Sequence, residues 1–88
     1  MNGKFKEELT ESLHLPKDLM FGAVIVTATG NRELYIENYK GLLEYSDDKI
    51  KLQTKNCNLT ICGKNLVISY YTNDEMKITG CIGCIRYS

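Results

Sequence analysis

The four cysteines are the first candidates for chemistry in this sequence. Cys81 and Cys84 have the CxxC spacing, and Cys57 and Cys62 form a Cx4C pair earlier in the chain. Four thiolates can bind zinc tetrahedrally, and a CxxC pair can take part in disulfide exchange. Zinc knuckles sit on tight turns, however, whereas the segment from Cys57 to Cys62 has the length of a whole strand. Buried free thiols that act as small apolar residues are therefore favoured, and we expect no metal and no cofactor.

The other reactive side chains give weaker signals. His14 is the only histidine, so no histidine pair is available for a metal, and a cation there suits the last turn of a predicted helix. The acidic clusters at residues 47–48 and 73–75 lack the ligand spacing of a calcium loop and are interpreted as solvated turns. The sequence contains no Ser/His/Asp set, no GxSxG motif and no phosphate-binding glycine loop. We therefore predict that the protein is not an enzyme.

Composition argues against several classes of protein. Eleven basic and eleven acidic residues cancel, so no general attraction to nucleic acid or anionic lipid is expected. Hydrophobic residues make up 43% of the 88 residues, which suits one folded domain with a modest core. No apolar run approaches the ~20 residues that span a bilayer, and glutamates occupy the region where a signal peptide would be apolar. A cytoplasmic location with reduced cysteines is therefore expected.

Residues 3–14 are predicted to form a short amphipathic helix. Phe5, Leu9 and Leu13 recur at positions i, i+4 and i+8 and make one apolar stripe. Pro16 ends the helix, because proline disfavours helical geometry in the residue before it. A helix this short is marginal alone in water, so it must dock on the domain's own sheet, on a partner or on a membrane surface. The sheet is favoured, and Phe5, Leu9 and Leu13 are the candidate partner-binding residues.

Residues 23–87 are predicted to form a β domain, so that residues 1–88 are a single domain. Short segments alternate between apolar and polar residues, as Ile50 and Leu52 do with Lys49, Lys51 and Gln53. This period of two is typical of strands with one buried face. About eight strands of ~5 residues with short connections favour hairpins over parallel crossovers. The predicted fold class is all-β with one short N-terminal helix, an antiparallel meander forming a small sandwich or roll.

Within this meander, residues 23–28 are almost continuously apolar and are predicted to be a central strand, or a strand covered on both faces by the N-terminal helix and the sheet. Turns are expected at residues 39–41, 46–49 and 63–65, and a break is expected at Gly80. One motif is repeated: Leu59-x-Ile61-x-Gly63 recurs 17 residues later as Met76-x-Ile78-x-Gly80. This step equals two strands and two turns, which fits a hairpin repeat. It also fits a short β-solenoid, which stays open as the alternative.

Tyrosines offer another kind of site. The chain has six tyrosines, but no basic stripe accompanies them, so we expect no nucleic-acid partner. A small-molecule or glycan binder would need its tyrosines exposed and adjacent on one sheet face. The residues concerned are Tyr35, Tyr39, Tyr45, Tyr70 and Tyr71.

Four stretches of the chain carry a resemblance to a known family. They are LPKD at residues 15–18, IENYKGLLEYS at 36–46, LTICGKNL at 59–66 and ITGCI at 78–82. Together they resemble the YabP/YqfC family of sporulation proteins, and the YqfC branch most closely. Within the second stretch, Gly41 is expected to adopt a positive φ in a hairpin turn, and the Asn38 side chain is expected to bond to the backbone there.

The resemblance implies a small protein of endospore-forming bacteria without known catalytic activity. It would act in the mother cell as an adaptor or assembly module in spore envelope formation. The implied partners are other sporulation proteins, a membrane-bound one among them, which would place the protein in the cytoplasm or at the periphery of a membrane. The regular sheet also predicts a homo-oligomer formed through an edge strand. A zinc or redox-responsive module built on the cysteines stays open as the alternative function.

Overall fold

The computed structural model describes residues 22–88, which form one antiparallel sheet of six strands. The strands are β1 (Ile25–Thr29), β2 (Glu33–Glu37), β3 (Tyr39–Tyr45), β4 (Lys49–Thr54), β5 (Asn58–Tyr71) and β6 (Glu75–Tyr87). Their order across the sheet is β1-β2-β6-β5-β4-β3. The prediction of an all-β antiparallel domain is confirmed for this part of the chain, and the predicted helix at residues 3–14 lies outside it. No helix within residues 22–88 is long and apolar enough to cross a bilayer.

Polar side chains close the turns between the strands. Ser46 Oγ donates to Asp48 Oδ1 at 2.7 Å between β3 and β4, which confirms the turn predicted there. Thr54 Oγ1 donates to the carbonyl oxygen of Cys57 at 2.7 Å between β4 and β5. Thr72 Oγ1 accepts from the backbone N–H of Glu75 at 3.1 Å between β5 and β6. The first of these bonds joins two side chains, and the other two join a hydroxyl to a backbone group of the turn.

The strand count is six rather than eight because two predicted breaks are bends within strands. Residues 63–65 were expected to form a turn, but β5 continues through them with a register shift between Lys64 and Val67. β6 likewise continues through Gly80, which has a φ of 136°. Asn65 takes up the left-handed conformation at a φ of 54°. Glycine and asparagine signals therefore mark bulges here, which bend a strand without ending it.

The bends divide the sheet into two halves. The portion of β6 that pairs with β2 is residues 75–79, and the portion of β5 that pairs with β4 is residues 58–62. The first half consists of β1, β2 and residues 75–79 and 67–71. The second half consists of β3, β4 and residues 58–62 and 82–87. Each half therefore contains one short hairpin and one portion of each long strand.

Matching hydrogen bonds relate the two halves by an approximate two-fold symmetry. In the turn between β1 and β2, the carbonyls of Asn31 and Arg32 accept from the N–H groups of Ile82 and Gly80 at 2.7 and 3.1 Å. In the turn between β3 and β4, the carbonyls of Asp47 and Asp48 likewise accept from backbone N–H groups of β5. These bonds are Leu66 to Asp47 at 2.8 Å and Gly63 to Asp48 at 3.1 Å. The 17-residue repeat thus marks equivalent positions of the halves, and the antiparallel pairing of residues 22–88 is not that of a β-solenoid.

The core lies between the inner faces of the two halves. Eight large side chains are at most 1% exposed, namely Leu34, Ile36, Met76 and Ile78 from the first half and Ile50, Leu52, Leu59 and Ile61 from the second. They belong to one contiguous cluster, so the sheet is curled on itself. The prediction of a central strand at residues 23–28 is wrong, because β1 is an edge strand with its last three residues exposed. β-Branched residues are common in edge strands and in central strands. Only the pairing with neighbouring strands shows which kind a strand is.

Candidate functional site

The four cysteines do not come together. Cys62 and Cys84 are direct partners across β5 and β6, and Cys81 is the partner of Lys64. Cys57 lies in the turn before β5, where its Sγ is 3.4 Å from Thr54 Oγ1. Within the described residues 22–88, no three His, Cys, Asp or Glu side chains are grouped so that they could hold a metal ion. A four-thiolate zinc arrangement is therefore not formed.

The surroundings of the Cys62 thiol disfavour its ionisation. A hydrogen bond with Cys84, and secondly burial, raise the pKa of the Cys62 thiol above its ordinary value. Reactive cysteines instead have a lowered pKa, because the thiolate is the nucleophile. The CxxC motif runs along a strand, β6, and not at a helix N-terminus. The expectation of buried thiols is wrong, because Cys57, Cys62 and Cys81 are half-buried and Cys84 is exposed.

A polar hollow of about 540 Å³ lies beside the bend of β6. Its lining residues are Thr29, Arg32, Glu33, Asn65, Thr79, Gly80 and Cys81. Glu33 is paired with Lys77, with 3.3 Å between Oε2 and Nζ. Cys81 is the one nucleophilic thiol of the hollow, and residues 22–88 contain no histidine to act as its base. The Cys81 thiol therefore has no imidazole partner within residues 22–88.

A more apolar groove of about 490 Å³ lies between β3 and the last part of β5. We call it the β3–β5 groove, and its lining residues are Tyr39, Lys40, Gly41, Leu42, Tyr45, Ile68, Tyr71, Thr72, Asn73 and Met76. The strand order explains why it is open. β3 pairs with β4 alone, and residues 67–71 of β5 pair with β6 alone. Two strand edges therefore border the groove, and edges of this kind accept further chains.

Two tyrosines of β3 reach across to β5 and fix the groove. The phenol of Tyr39 donates to the carbonyl oxygen of Thr72 at 2.5 Å. The backbone N–H of Ile68 donates to the phenol oxygen of Tyr45 at 3.0 Å. Burial, followed by the nearby Tyr71 and Asp74, raises the pKa of Tyr39, so this phenol stays protonated and able to donate. The groove is thus held open at a set width by hydrogen bonds at both ends.

Large apolar side chains line the groove and remain accessible to water. Leu42 is 46% exposed, Tyr45 51% and Tyr71 69%. Clustered apolar exposure of this kind is typical of interaction surfaces, where tyrosine is also enriched. Sequence reasoning names Tyr45 and Tyr71 only as members of a tyrosine surface, and it does not single out Leu42. A signal was present, however, because the doublets at residues 42–43 and 70–71 break the alternation, so that one member of each must leave the core face.

The tyrosines do not form one exposed surface. Tyr39 is only 6% exposed. Tyr35 is engaged on β2, where its phenol donates to Glu75 Oε1 at 2.9 Å. That hydrogen bond is the main cause that raises the pKa of Tyr35 to about 12. Tyr45, Tyr70 and Tyr71 are exposed, so the condition that all five tyrosines be exposed and adjacent is not met.

The stretch IENYKG at residues 36–41 connects one half of the sheet to the other. Asn38 has a φ of 70°, and its Nδ2 donates to the carbonyl oxygen of Ala23 at 2.9 Å. The predicted backbone bond of Asn38 is confirmed. The prediction for Gly41 is wrong, because Gly41 lies within β3 and the positive φ falls on Asn38 instead. The predicted partner-binding residues Phe5, Leu9 and Leu13 lie outside the described residues, as does His14.

Comparison with known proteins assigns the chain to a family. The family profile described as YabP family matches residues 23–88, which is the whole β domain. The chain belongs to the YabP family. It is 36% identical over 84 residues to YqfC of Bacillus subtilis (strain 168), described as an uncharacterized protein, and the alignment covers 96% of this chain and 90% of YqfC. No solved structure matches the chain significantly. The resemblance noted from the sequence is confirmed, and the β3–β5 groove lies within the matched YabP region.

Proposed function

We propose that this YabP-family protein is a non-enzymatic adaptor or assembly module in spore envelope formation, and that it binds a protein partner in the β3–β5 groove. The partner is another sporulation protein of the mother cell, and a membrane-bound one would hold the adaptor at the membrane periphery. Family membership motivates the cellular role. The observation that carries the binding role is the exposed apolar lining of the groove.

The groove has the physical properties of a protein-binding site. Its floor is formed by buried side chains, among them Met76 at 1% and Tyr39 at 6% exposure, which do not move without disturbing the core. Its rim offers Tyr71 and Leu42, which can bury apolar area on binding at a small cost in side-chain entropy. The bordering strand edges can in addition pair with an extended segment of the partner. A rigid floor and an apolar rim together favour a defined complex.

The test is affinity capture from sporulating cells followed by direct binding. The full chain with an affinity tag is used as bait, and captured envelope or membrane proteins are purified and titrated against it. Tyr71→Glu places a charge in the groove, and Tyr87→Glu is the matched control, since Tyr87 is 58% exposed at the far end of β6. Loss of a central tyrosine contact weakens binding about 30-fold. The control should bind as the wild type does.

Two outcomes would contradict the proposal. The first is capture of no envelope or membrane protein by the wild-type chain. The second is equal affinity of Tyr71→Glu and wild type for the captured protein. That result would show that the partner contacts another part of the sheet. Circular dichroism of both variants confirms that they retain the fold. Replacing the gene in its host with the Tyr71→Glu allele and imaging the spores then links the contact to the envelope.

The open strand edges also favour self-association, which is part of the same proposal. β1 and β3 are the outer strands of the sheet, and each pairs with one neighbour only. Addition of a second chain along such an edge is a common route to dimers. Light scattering over a range of protein concentrations tests this, and a mass that stays monomeric at the highest concentration would contradict it.

A further inference from the structure

We infer that Cys62 and Cys84 form a modification site, at which a small-molecule disulfide such as oxidised glutathione converts the two thiols into a cross-strand disulfide that locks β5 to β6. The inference goes beyond the proposed function, because it concerns the chemistry of the chain itself and no protein partner. Three features carry it. These are the pairing of the two residues, the face of the sheet on which they lie, and the accessibility of Cys84.

The backbone places the two cysteines at the separation that a disulfide requires. The pairing of β5 with β6 is regular from Leu59 to Cys62, and it sets Cys62 directly opposite Cys84. At the end of the same ladder, Asn58 and Ser88 exchange two backbone hydrogen bonds of 2.9 Å. Because hydrogen-bonded pairs alternate along an antiparallel ladder, Cys62 and Cys84 are also such a pair, with Cα atoms about 5.5 Å apart. Disulfides most often join Cα atoms that are about 5.5–6 Å apart.

The two thiols also lie on the same face of the sheet. Each cysteine is next to a core residue in its strand, since Ile61 is 0% exposed and Ile85 packs against the core. Successive side chains of a strand point to opposite faces, so both thiols point away from the core. A hydrogen bond joins the side chains of Cys62 and Cys84. Closing the disulfide therefore needs no rearrangement of the core.

The other two cysteines lie outside this site. Cys81 and Cys84 are three residues apart along β6, which corresponds to roughly 10 Å, whereas a disulfide requires Cα atoms closer than about 7 Å. Cys81 is instead the partner of Lys64, and Cys57 lies in the turn before β5, beside Thr54. The CxxC spacing therefore does not identify the reactive pair, because the partner of Cys84 is on the neighbouring strand.

The exchange begins at Cys84, because Cys84 is exposed and Cys62 is half-buried. The Cys84 thiolate attacks one sulfur of oxidised glutathione, forms a mixed disulfide and releases one glutathione thiolate. The Cys62 thiolate then attacks the Cys84 sulfur of the mixed disulfide and releases the second glutathione. The two protein thiols lose two electrons and two protons, and oxidised glutathione is reduced to two glutathione thiols. An exposed disulfide is also open to reduction, so the modification is reversible.

The disulfide stabilises the fold. It closes the loop from Cys62 to Cys84, which contains the bends of both long strands and the turn between them. Closing this loop removes conformations from the unfolded chain, and oxidation should therefore raise the Tm by roughly 10 °C. In a reducing compartment both residues remain thiols, and the stabilisation appears only when the surroundings become oxidising.

Two double variants of the full chain test the assignment. Cys57→Ser/Cys81→Ser keeps only the proposed pair, and Cys62→Ser/Cys84→Ser is the matched control that keeps only the other two cysteines. Both are purified reduced, checked for the β-sheet by circular dichroism and incubated with oxidised glutathione. The first variant should lose both free thiols and two hydrogens of mass without retaining glutathione, and its Tm should rise. The control should form no disulfide within the chain, and its Tm should not rise.

A measurement on the wild-type chain makes the test independent of these substitutions. After oxidation, fragmentation of the linked tryptic peptides of residues 56–64 and 78–86 should place the bond between Cys62 and Cys84. A bond between any other two cysteines as the main product would overturn the inference. So would equal disulfide formation in the two double variants, a disulfide-linked dimer as the main product of Cys57→Ser/Cys81→Ser, or an oxidised form of that variant whose Tm is no higher than that of its reduced form.

Discussion

Gly80 at the bend of β6 is predicted to be intolerant of alanine, and the structure gives the size of the effect. Its φ of 136° is a conformation that residues with a side chain rarely adopt, and such backbone strain costs about 1–3 kcal/mol. An added Cβ would lie 2.5 Å from the carbonyl oxygen of Asn65, against about 3.3 Å for an ordinary close contact. Relieving that overlap in a packed site costs a further ~1–3 kcal/mol. We therefore expect Gly80→Ala to lower the free energy of unfolding by about 4 kcal/mol.

Gly80→Ala should have a large effect because the backbone of Gly80 also joins β6 to the first hairpin. The N–H of Gly80 donates to the carbonyl of Arg32 in the turn between β1 and β2, so moving Gly80 weakens the contact between hairpin and long strand. A domain of this size is stabilised by roughly 5–10 kcal/mol in total. For 60–100 residues, a loss of 4 kcal/mol lowers the Tm by roughly 15–30 °C. Urea and thermal unfolding followed by circular dichroism measure both quantities.

Gly41 supplies the matched control. It lies in β3 without a positive φ, and the nearest atom to an added Cβ is Gln53 Oε1 at 3.8 Å. Alanine there reduces the entropy of the unfolded chain, so Gly41→Ala should leave the stability unchanged or raise it by up to about 1 kcal/mol. If Gly80→Ala and Gly41→Ala differ by less than about 1 kcal/mol, the argument from backbone geometry is refuted.

Three further predictions concern other parts of the molecule. Because the hydrogen bond to Glu75 favours the neutral phenol, Glu75→Gln should lower the pKa of Tyr35 from about 12 toward 10. The stability that Tyr35 contributes should be present below pH 10 and lost between pH 10 and about 12. Tyrosinate absorbance in Tyr35→Phe and Glu75→Gln checks this, and an unchanged midpoint would contradict it. Oxidised glutathione should join Cys62 to Cys84, which are direct cross-strand partners, and peptide mapping that finds another pair first would count against this register. Ile61→Ala should cost about 2–5 kcal/mol in urea unfolding, since Ile61 is 0% exposed, and a loss below 1 kcal/mol would contradict its place in the core.

Strand identity could be predicted from the sequence where burial alternates. Residues 49–54 alternate cleanly and form β4 as one strand, because one face of this strand is buried against the core. The bends at Gly63 and Gly80 could not be told from turns. Both produce a glycine between apolar segments, and only the long-range bonds to the turns of the two hairpins decide that the strand continues. Local patterns carry no information on such non-local pairing.

The candidate site was harder to predict than the fold for a related reason. The cysteines attracted attention by spacing along the chain, yet register places Cys62 opposite Cys84 and leaves the other two apart. The groove arises where the curled sheet brings β3 beside the last part of β5. Tyr45 and Ile68, which meet there, are 23 residues apart in the chain. No local motif predicts the contact between Tyr45 and Ile68. The apolar doublets at residues 42–43 and 70–71 indicate only that some of these side chains are exposed.

The division of the sheet into two interlocked halves bears on how the chain acquires its structure. The hairpin of β1 and β2 is synthesised first. The strand beside β2 in the sheet is β6, however, and it begins at Glu75, 38 residues after Glu37. The second hairpin likewise waits for β5. Each half includes a portion of β6, so neither half has all of its strands until β6 has been synthesised. Both halves must therefore fold together and late in synthesis. We expect a single unfolding transition for residues 22–88, and excision of either half should give a fragment that is unable to fold on its own.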